Sequence, residues 1–161
     1  MRSAISKKTM KIVLTLLVVG VVLLNVLTYA VSVVRYYGDG MEPTLQNGQI
    51  LIIAKTNDVS EGDIIAFYYN NKILVRRVIC AGGKTIALDP SGAVSVSGKT
   101  VDEPYVSLPS VGQCDITFPY SVPRHHVFVM GDNRTVAMDS RLEAIGAIPE
   151  DRIIGRVLFA W

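Results

Sequence analysis

Hydrophobic positions divide the chain at about residue 35 into one long apolar run and a series of short ones. Residues 12–34 carry no charged side chain, and Arg35 closes the run. As a helix with a rise of about 1.5 Å per residue, this run would span roughly 35 Å, enough to cross a hydrocarbon core of about 30 Å. The pattern therefore predicts one transmembrane anchor over 12–34, preceded by a short tail, residues 1–11.

The charges beside the apolar run predict its orientation. Four cations and no acid precede it, namely Arg2, Lys7, Lys8 and Lys11. Because such clusters stay on the cytoplasmic side, we expect a cytoplasmic N-terminus and an extracellular C-terminal part in a single-pass plasma-membrane protein. A cleavable signal peptide is the alternative, since Thr28-Tyr29-Ala30 approximates a cleavage site. The run is, however, longer than the apolar stretch of about 7–15 residues in such peptides.

Short apolar runs broken by turn residues follow the anchor, and this pattern favours a mainly β domain over residues 36–161. The predicted strands are 49–55, 63–69, 72–80, 85–88, 93–97, 127–130 and 153–161. Asn70-Asn71 suits the positive φ angles of a tight hairpin turn, and Asp89-Pro90-Ser91-Gly92 predicts a second turn. Residues 102–124 are richer in Pro, Ser and Gly, so we expect a less regular excursion there.

Charge argues against a nucleic-acid partner. Four of the 16 cations precede residue 12, which leaves 12 cations against 14 acids in residues 35–161. That part is slightly acidic, at about −2, and has no basic tract interleaved with aromatic residues.

Cysteine and histidine positions predict neither a metal nor another cofactor. His125 and His126 are adjacent and would point to opposite faces of a strand, and no Cys or His group has metal-ligand spacing. Cys80 and Cys114 are the two cysteines. A disulfide between them is permitted outside the membrane, and two small buried thiols are the alternative.

Several motifs follow the anchor in a fixed order. They are Gly-x-x-Met-x-Pro-Thr-Leu from Gly38, Gly62-Asp63-Ile64-Ile65, Arg77-Val78-Ile79, Glu103-Pro104-Tyr105, Val122-Pro123, residues 127–134, Asp139-Ser140-Arg141 and Ile154-Gly155-Arg156. Together they resemble the type I signal peptidases, particularly the single-anchor Gram-positive form, over almost the whole chain. The resemblance implies a signal-peptidase-like β fold behind one N-terminal transmembrane helix.

The resemblance also implies that the catalytic groups are missing. In that family a serine attacks the peptide carbonyl after a neutral lysine removes its proton. The resemblance puts Gly40 at the serine position, Arg76 at the lysine position and Ala137 at the position of a serine that orients the lysine. Glycine has no side-chain oxygen, arginine stays protonated and alanine cannot hydrogen-bond through its side chain. We therefore expect a pseudo-peptidase with no catalytic residue.

Other residues of the motifs are candidates for binding and support. The candidate peptide-binding cleft comprises Gly38, Asp39, Gly40, Met41 and Arg76. The candidate structural supports are Pro43, Asp132, Asn133, Asp139, Ser140 and Arg141. For Met41, packing in the core is an equal alternative. Asp132 and Asn133 are expected to accept local hydrogen bonds in a tight turn, and Asp139 and Arg141 to form ion pairs or hydrogen bonds.

A cleft without catalytic groups still binds extended peptides at a strand edge. The sequence therefore favours a membrane-anchored factor that holds a polypeptide client, with Gly40 within about 18 Å of the membrane because five residues separate it from Arg35. Resemblance to catalytically degenerate signal-peptidase-like proteins further implies a chaperone-like accessory role in surface pilus assembly, with a pilin client and a sortase nearby. Two alternatives stay open: an active signal peptidase using Asp39 or Lys72, and a decoy that captures signal peptides.

Overall fold

A computed structural model describes residues 7–161 and confirms the mainly β fold with one N-terminal apolar helix. The helix α1 covers Lys7–Ala30. The strands are β1 Val31–Arg35, β2 Ile50–Ala54, β3 Ile64–Tyr69, β4 Lys72–Ala81, β5 Thr85–Leu88, β6 Val94–Val96, β7 Lys99–Thr100, β8 Tyr120–Ser121, β9 His126–Met130, β10 Ile148–Pro149 and β11 Ile153–Ala160. Every predicted strand has a counterpart within two residues at either end, whereas β1, β7, β8 and β10 were not predicted.

The helix α1 is the candidate membrane span, with a length of about 36 Å. Its large apolar side chains are exposed wherever the structure describes their burial. Three cations of the predicted tail, Lys7, Lys8 and Lys11, lie in its first turns, whereas Arg2 lies outside the described residues. The cytoplasmic position of the N-terminus stays a prediction.

The prediction that the span extends to Val34 was wrong. Residues 31–35 form β1, which pairs antiparallel with β2 from Val31 opposite Ala54 to Arg35 opposite Ile50. The valines of this segment are β-branched and favour extended backbone, and the neighbouring strand satisfies their backbone groups. Gly40 therefore lies ten residues beyond the end of α1. The upper limit on its distance from the end of the membrane span rises from about 18 Å to about 35 Å.

Two antiparallel sheets make up the β domain. The larger sheet has the order β1-β2-β11-β3-β4-β9-β10 and the smaller one β7-β6-β5-β8. The predicted hairpin joins β3 to β4, with Asn70 and Asn71 at φ values of 45° and 58°. A tight hairpin requires positive φ at both turn residues, which asparagine tolerates better than most side chains.

One pairing detail bears on the functional site. Strand β4 pairs with β3 from Lys72 to Arg77, but its pairing with β9 begins only at Arg77. Residues 72–76 therefore pair with β3 on one side, and on the other side they have no strand partner within the described chain. Such an edge presents unpaired backbone donors and acceptors to whatever lies beside it.

The turn at residues 89–92 joins β5 to β6 as predicted. The Asp89 carboxylate accepts hydrogen bonds from the backbone N–H groups of Ser91 and Ala93, at 2.8 and 3.0 Å. Residues 102–124 contain only the two-residue strand β8 and otherwise run as loop.

One cluster of buried side chains fixes the loop that follows β1. Tyr36, Met41 and Leu45 of this loop pack against strand residues of the larger sheet. The strand residues of this cluster are Leu51, Ile53, Ala66 and Val75. Because three side chains of a short loop are buried in one core, the backbone between them is held firmly against the sheet.

Cys80 and Cys114 are both free thiols in the structure, and of the two small buried thiols of the alternative only Cys80 is buried, while Cys114 is half-buried. Cys80 is buried on β4, and burial raises the pKa of its thiol to about 11. Since the thiolate is the reactive form, the Cys80 side chain is inert at neutral pH.

We predict that a thiol reagent at pH 8 modifies Cys114 in the folded full-length chain and modifies Cys80 only after unfolding. On the order of 10⁻³ of the Cys80 thiol is ionised at that pH, and its burial excludes the reagent. Mass spectrometry of Cys114→Ser and Cys80→Ser variants in detergent micelles identifies each site. Absence of any reactive thiol in denaturant without reductant would instead reveal a disulfide.

Candidate functional site

The loop after β1 places Gly40 between two anchored residues. The Tyr36 N–H donates to the Gln49 carbonyl at 2.8 Å, and the Tyr36 hydroxyl accepts from the Met41 N–H at 3.1 Å. Tyr36 is buried and Tyr37 is exposed, as expected where the chain leaves a strand with alternating side chains. Burial raises the pKa of Tyr36, so its phenol stays protonated at neutral pH.

Arg76 of β4 is 7 % exposed, and its guanidinium is bound by backbone oxygens. Its Nε donates to the Met138 carbonyl at 2.9 Å and its Nη1 to the Val75 carbonyl at 2.6 Å. Burial lowers the pKa of Arg76, and the negative charge of Asp139 opposes that effect. Among the described residues no carboxylate lies within ion-pair distance of this guanidinium.

Gly40 and Arg76 are in contact. A Cβ atom added at Gly40 would lie 3.0 Å from Nη2 of Arg76, 3.2 Å from its Cζ and 3.3 Å from its Nη1. A side chain at position 40 would therefore force the guanidinium to move. The absence of a Cβ at Gly40 and the large side chain at Arg76 are sterically matched.

A second loop, which leaves β9, lies against the first. The Asn133 N–H donates to the Gly40 carbonyl at 3.2 Å. A Cβ at Gly131 would lie 2.3 Å from both the Gly40 carbonyl oxygen and the Ala137 Cβ, so only glycine fits this close approach. The three residues that the resemblance assigned to catalytic positions thus lie in one small region.

A buried ion pair holds the second loop. Arg141 donates through Nε and Nη2 to the two carboxylate oxygens of Asp139, at 2.8 and 2.7 Å, and both side chains are fully buried. The Asp139 carboxylate also accepts from the Gly131 N–H at 2.9 Å. Ser140 accepts from the Val129 N–H at 3.0 Å through its hydroxyl. All three side chains therefore act locally as structural supports.

Asp132 makes long-range contacts rather than the local ones expected from the turn sequence. Its carboxylate pairs with Arg77 at 2.5 and 2.9 Å and accepts from the Thr44 hydroxyl at 2.5 Å. Asn133 does act locally and accepts from the Thr135 hydroxyl at 2.8 Å. Pro43 follows a cis peptide bond in the first loop. Asp132 thus joins β4 to both loops.

The irregular segment 102–124 is attached to the site by charge. Arg134 pairs with Glu103 at 2.6 and 3.0 Å, and the guanidinium of Arg77 lies 3.9 Å over the ring of Tyr105. Arg141 donates to the Val111 carbonyl at 2.7 Å. These contacts were not predicted, because nothing in the local sequence pairs one residue with a partner 30 positions away.

An open cleft of about 230 Å³ lies between the first loop, β4 and the second loop. Its lining residues are Tyr36, Tyr37, Gly38, Asp39, Gly40, Ile73, Leu74, Val75, Arg76, Val136 and Met138. Met41 does not line it; the assignment of Met41 to the cleft was wrong, because its side chain is fully buried in the core. Lys72 lies at the exposed start of β4 and does not line the cleft either.

Sequence reasoning missed the apolar rim of the cleft. Ile73, Val136 and Met138 are 38, 55 and 50 % exposed, and Tyr37 is 72 % exposed. Val136 and Met138 flank Ala137 in the motif that continues to Asp139, and this position was the one signal in the sequence that they lie at the site. Their apolar nature alone did not distinguish a rim from a core.

Comparisons with known proteins agree with this architecture. The family model for signal peptidase, peptidase S26, matches residues 7–161. Signal peptidase I T of Bacillus subtilis is 34% identical over 137 residues, which cover 77% of this chain and 70% of that protein. Signal peptidase IB of Staphylococcus aureus is 30% identical, with 95% of this chain and 89% of that protein covered.

A solved structure is also similar. The crystal structure of a signal peptidase I from Enterococcus faecalis superposes with a TM-score of 0.53 at 25% sequence identity, covering 63% of this chain and 97% of that one. One apolar N-terminal helix, the candidate membrane span, followed by this β domain points to the class of signal peptidases. The chain belongs to the signal peptidase I family, peptidase S26.

We predict that Arg141→Met lowers the free energy of unfolding by about 3–5 kcal/mol, because it leaves the buried carboxylate of Asp139 unpaired. Urea unfolding of the full-length chain in micelles, followed by fluorescence, measures the loss. Arg124→Met, at an exposed position, is the matched control and should change it by less than about 0.5 kcal/mol. Equal losses in the two variants would refute the structural role of the pair.

Proposed function

We propose that this chain is a non-proteolytic member of the family that binds a polypeptide in the cleft without cleaving it. The carrying observation is the guanidinium of Arg76, which is buried against the backbone of Gly40. In a working peptidase this space would hold a serine hydroxyl and a neutral amine. Here it holds a guanidinium, which stays protonated, and position 40 supplies no hydroxyl.

The substitutions remove chemistry that neighbouring groups do not replace. Asp39 is exposed, and a carboxylate is a poor nucleophile toward a peptide bond. Lys72 is roughly 13 Å from Arg76 along the strand, beyond the roughly 3 Å that proton transfer requires. In subtilisin, loss of either the nucleophilic serine or the histidine base costs about 10⁶-fold in kcat.

Peptide binding is supported by the free edge of β4. Residues 72–76 have no strand partner on one side within the described chain, and four of these residues line the cleft. An extended peptide that adds to this edge would gain backbone hydrogen bonds, and its side chains would meet the apolar rim. Neither interaction needs a catalytic group.

The second candidate is an active signal peptidase, because the similar proteins carry that name. This candidate requires a nucleophile and a base other than Gly40 and Arg76. Asp39 and Lys72 are the side chains that would have to supply them.

We predict that the full-length chain in micelles leaves a preprotein uncut, and that the triple variant Gly40→Ser, Arg76→Lys, Ala137→Ser cleaves it. The shorter lysine side chain leaves room for the serine that the guanidinium would crowd. Gel analysis of the preprotein measures cleavage, and Gly40→Ser alone is the control, because it still lacks a base. Cleavage by the unaltered chain that disappears in Asp39→Asn or Lys72→Ala would establish the active-enzyme alternative.

The proposed client is a pilin in surface pilus assembly, with a sortase nearby. This part rests on resemblance to degenerate signal-peptidase-like proteins, and the cleft is consistent with it only in offering a peptide-binding edge. A decoy that captures signal peptides would use the same edge. A pilus-assembly factor would bind one or two pilins, whereas a decoy would bind many preproteins.

We predict that a photoreactive phenylalanine analogue at Val136, which is 55 % exposed on the cleft rim, crosslinks to one or two pilins in living cells. Mass spectrometry of the adducts identifies the clients. The same analogue at Arg124, which is exposed and is not a lining residue of the cleft, is the control. A wide range of crosslinked preproteins would favour the decoy instead.

A further inference from the structure

We propose that the cleft recognises a peptide carboxylate, the free α-carboxylate at the C-terminus of an extended apolar segment, through the guanidinium of Arg76. This inference rests on the proposed peptide-binding function and specifies its ligand. It identifies the end of the client, rather than an internal segment, as the part that enters the cleft.

The first argument is the missing partner of Arg76. Arg134 and Arg141 are the other two buried arginines, and each pairs with a carboxylate, at 2.6 and 2.7 Å respectively. Arg76 instead donates to two backbone carbonyls and lies beside the Tyr36 hydroxyl, all of them neutral acceptors. A buried cation is expensive to desolvate unless an anion accompanies it. Within the described residues, this cation is therefore the buried one that lacks an anion.

The neighbouring acids do not serve that purpose. Asp139 contributes a favourable charge at Arg76, but both of its oxygens are bound by Arg141. Asp39 lines the same cleft but is exposed and forms no ion pair with Arg76. Asp39 instead places a negative charge at the mouth of the cleft, which would weaken the binding of a second anion.

The second argument is the access to the guanidinium. Gly40 contributes no side chain above it, since an added Cβ would lie only 3.0 Å from Nη2. Arg76 lines an open cleft, so a ligand can reach it from solvent. A guanidinium presents its N–H groups in a planar fork that matches the two oxygens of a carboxylate.

The third argument is the place where the free strand edge stops. Pairing between β4 and β9 begins at Arg77, opposite Met130. A peptide added along residues 72–76 therefore cannot continue as a strand beyond Arg76. A peptide running parallel to β4 would end there with its carboxylate, whereas an antiparallel one would bring its α-amine to a buried cation. The positive charge of Arg76 therefore favours a peptide that runs parallel to β4 and ends beside Arg76 with its C-terminal carboxylate.

The apolar rim determines which ligand side chains are favoured just before the terminal carboxylate. Ile73, Val136 and Met138 surround the cleft with exposed apolar surface. Aliphatic residues just before the terminal carboxylate would bury part of this surface. The proposed ligand is therefore a short extended C-terminus with apolar side chains and a free acid.

The test is a titration of the full-length chain in micelles with two acetylated pentapeptides of valine and alanine, one a C-terminal acid and one a C-terminal amide. We expect the acid to bind at least about tenfold more tightly, as measured by calorimetry. Arg76→Met should abolish this preference, Arg76→Lys should retain part of it, and Asp39→Asn should strengthen binding of the acid. Arg124→Met is the control for net charge, and circular dichroism confirms that each variant is folded.

A third peptide, with an amidated C-terminus and glutamate as its last residue, separates the two sources of a carboxylate. Weak binding of this peptide supports recognition of the chain terminus, whereas binding as tight as that of the acid overturns that assignment. Equal binding of the acid and the amide would overturn carboxylate recognition and leave the proposed peptide-binding function intact. Failure of all three peptides to bind would remove both.

Discussion

The burial of the Arg76 guanidinium against Gly40 is the constraint on which the character of the cleft depends. The guanidinium lies where a Cβ at position 40 would crowd it, and it is held there by hydrogen bonds to the carbonyls of Val75 and Met138. It makes the floor of the cleft permanently positive. A fixed positive charge favours an anion in contact with it, and an arginine does not accept a proton as a neutral lysine does.

The frame around this contact is built from ion pairs that are independent of catalysis. Asp139 with Arg141 fixes the second loop, and Asp132 with Arg77 fastens it to β4. Both pairs are buried or nearly so, and a broken buried pair leaves an uncompensated charge. The frame therefore constrains the sequence around the cleft independently of the chemistry at residues 40 and 76.

Much of the fold was predictable from the sequence, because period-two patterns and turn residues act locally. Asn70-Asn71, for example, adopts the positive φ values that its hairpin requires. The strand at Val31–Arg35 was missed since its valines continue an apolar run that reads equally well as helix. In the site, Met41 was ambiguous because an apolar side chain fits a rim or a core. The Asp132–Arg77 pair depends on register between distant strands, which composition does not encode.

Nitrogen-15 NMR of the Arg76 side chain during peptide titration tests the central claim most directly. Selective arginine labelling of the full-length chain in micelles, with Arg76→Lys used for assignment, resolves its Nε–H signal. We predict that this signal shifts with the same midpoint as binding, while the peptide is recovered intact. An unchanged Arg76 signal at saturating peptide would place binding on another face, and recovery of cleaved peptide would contradict the non-proteolytic assignment.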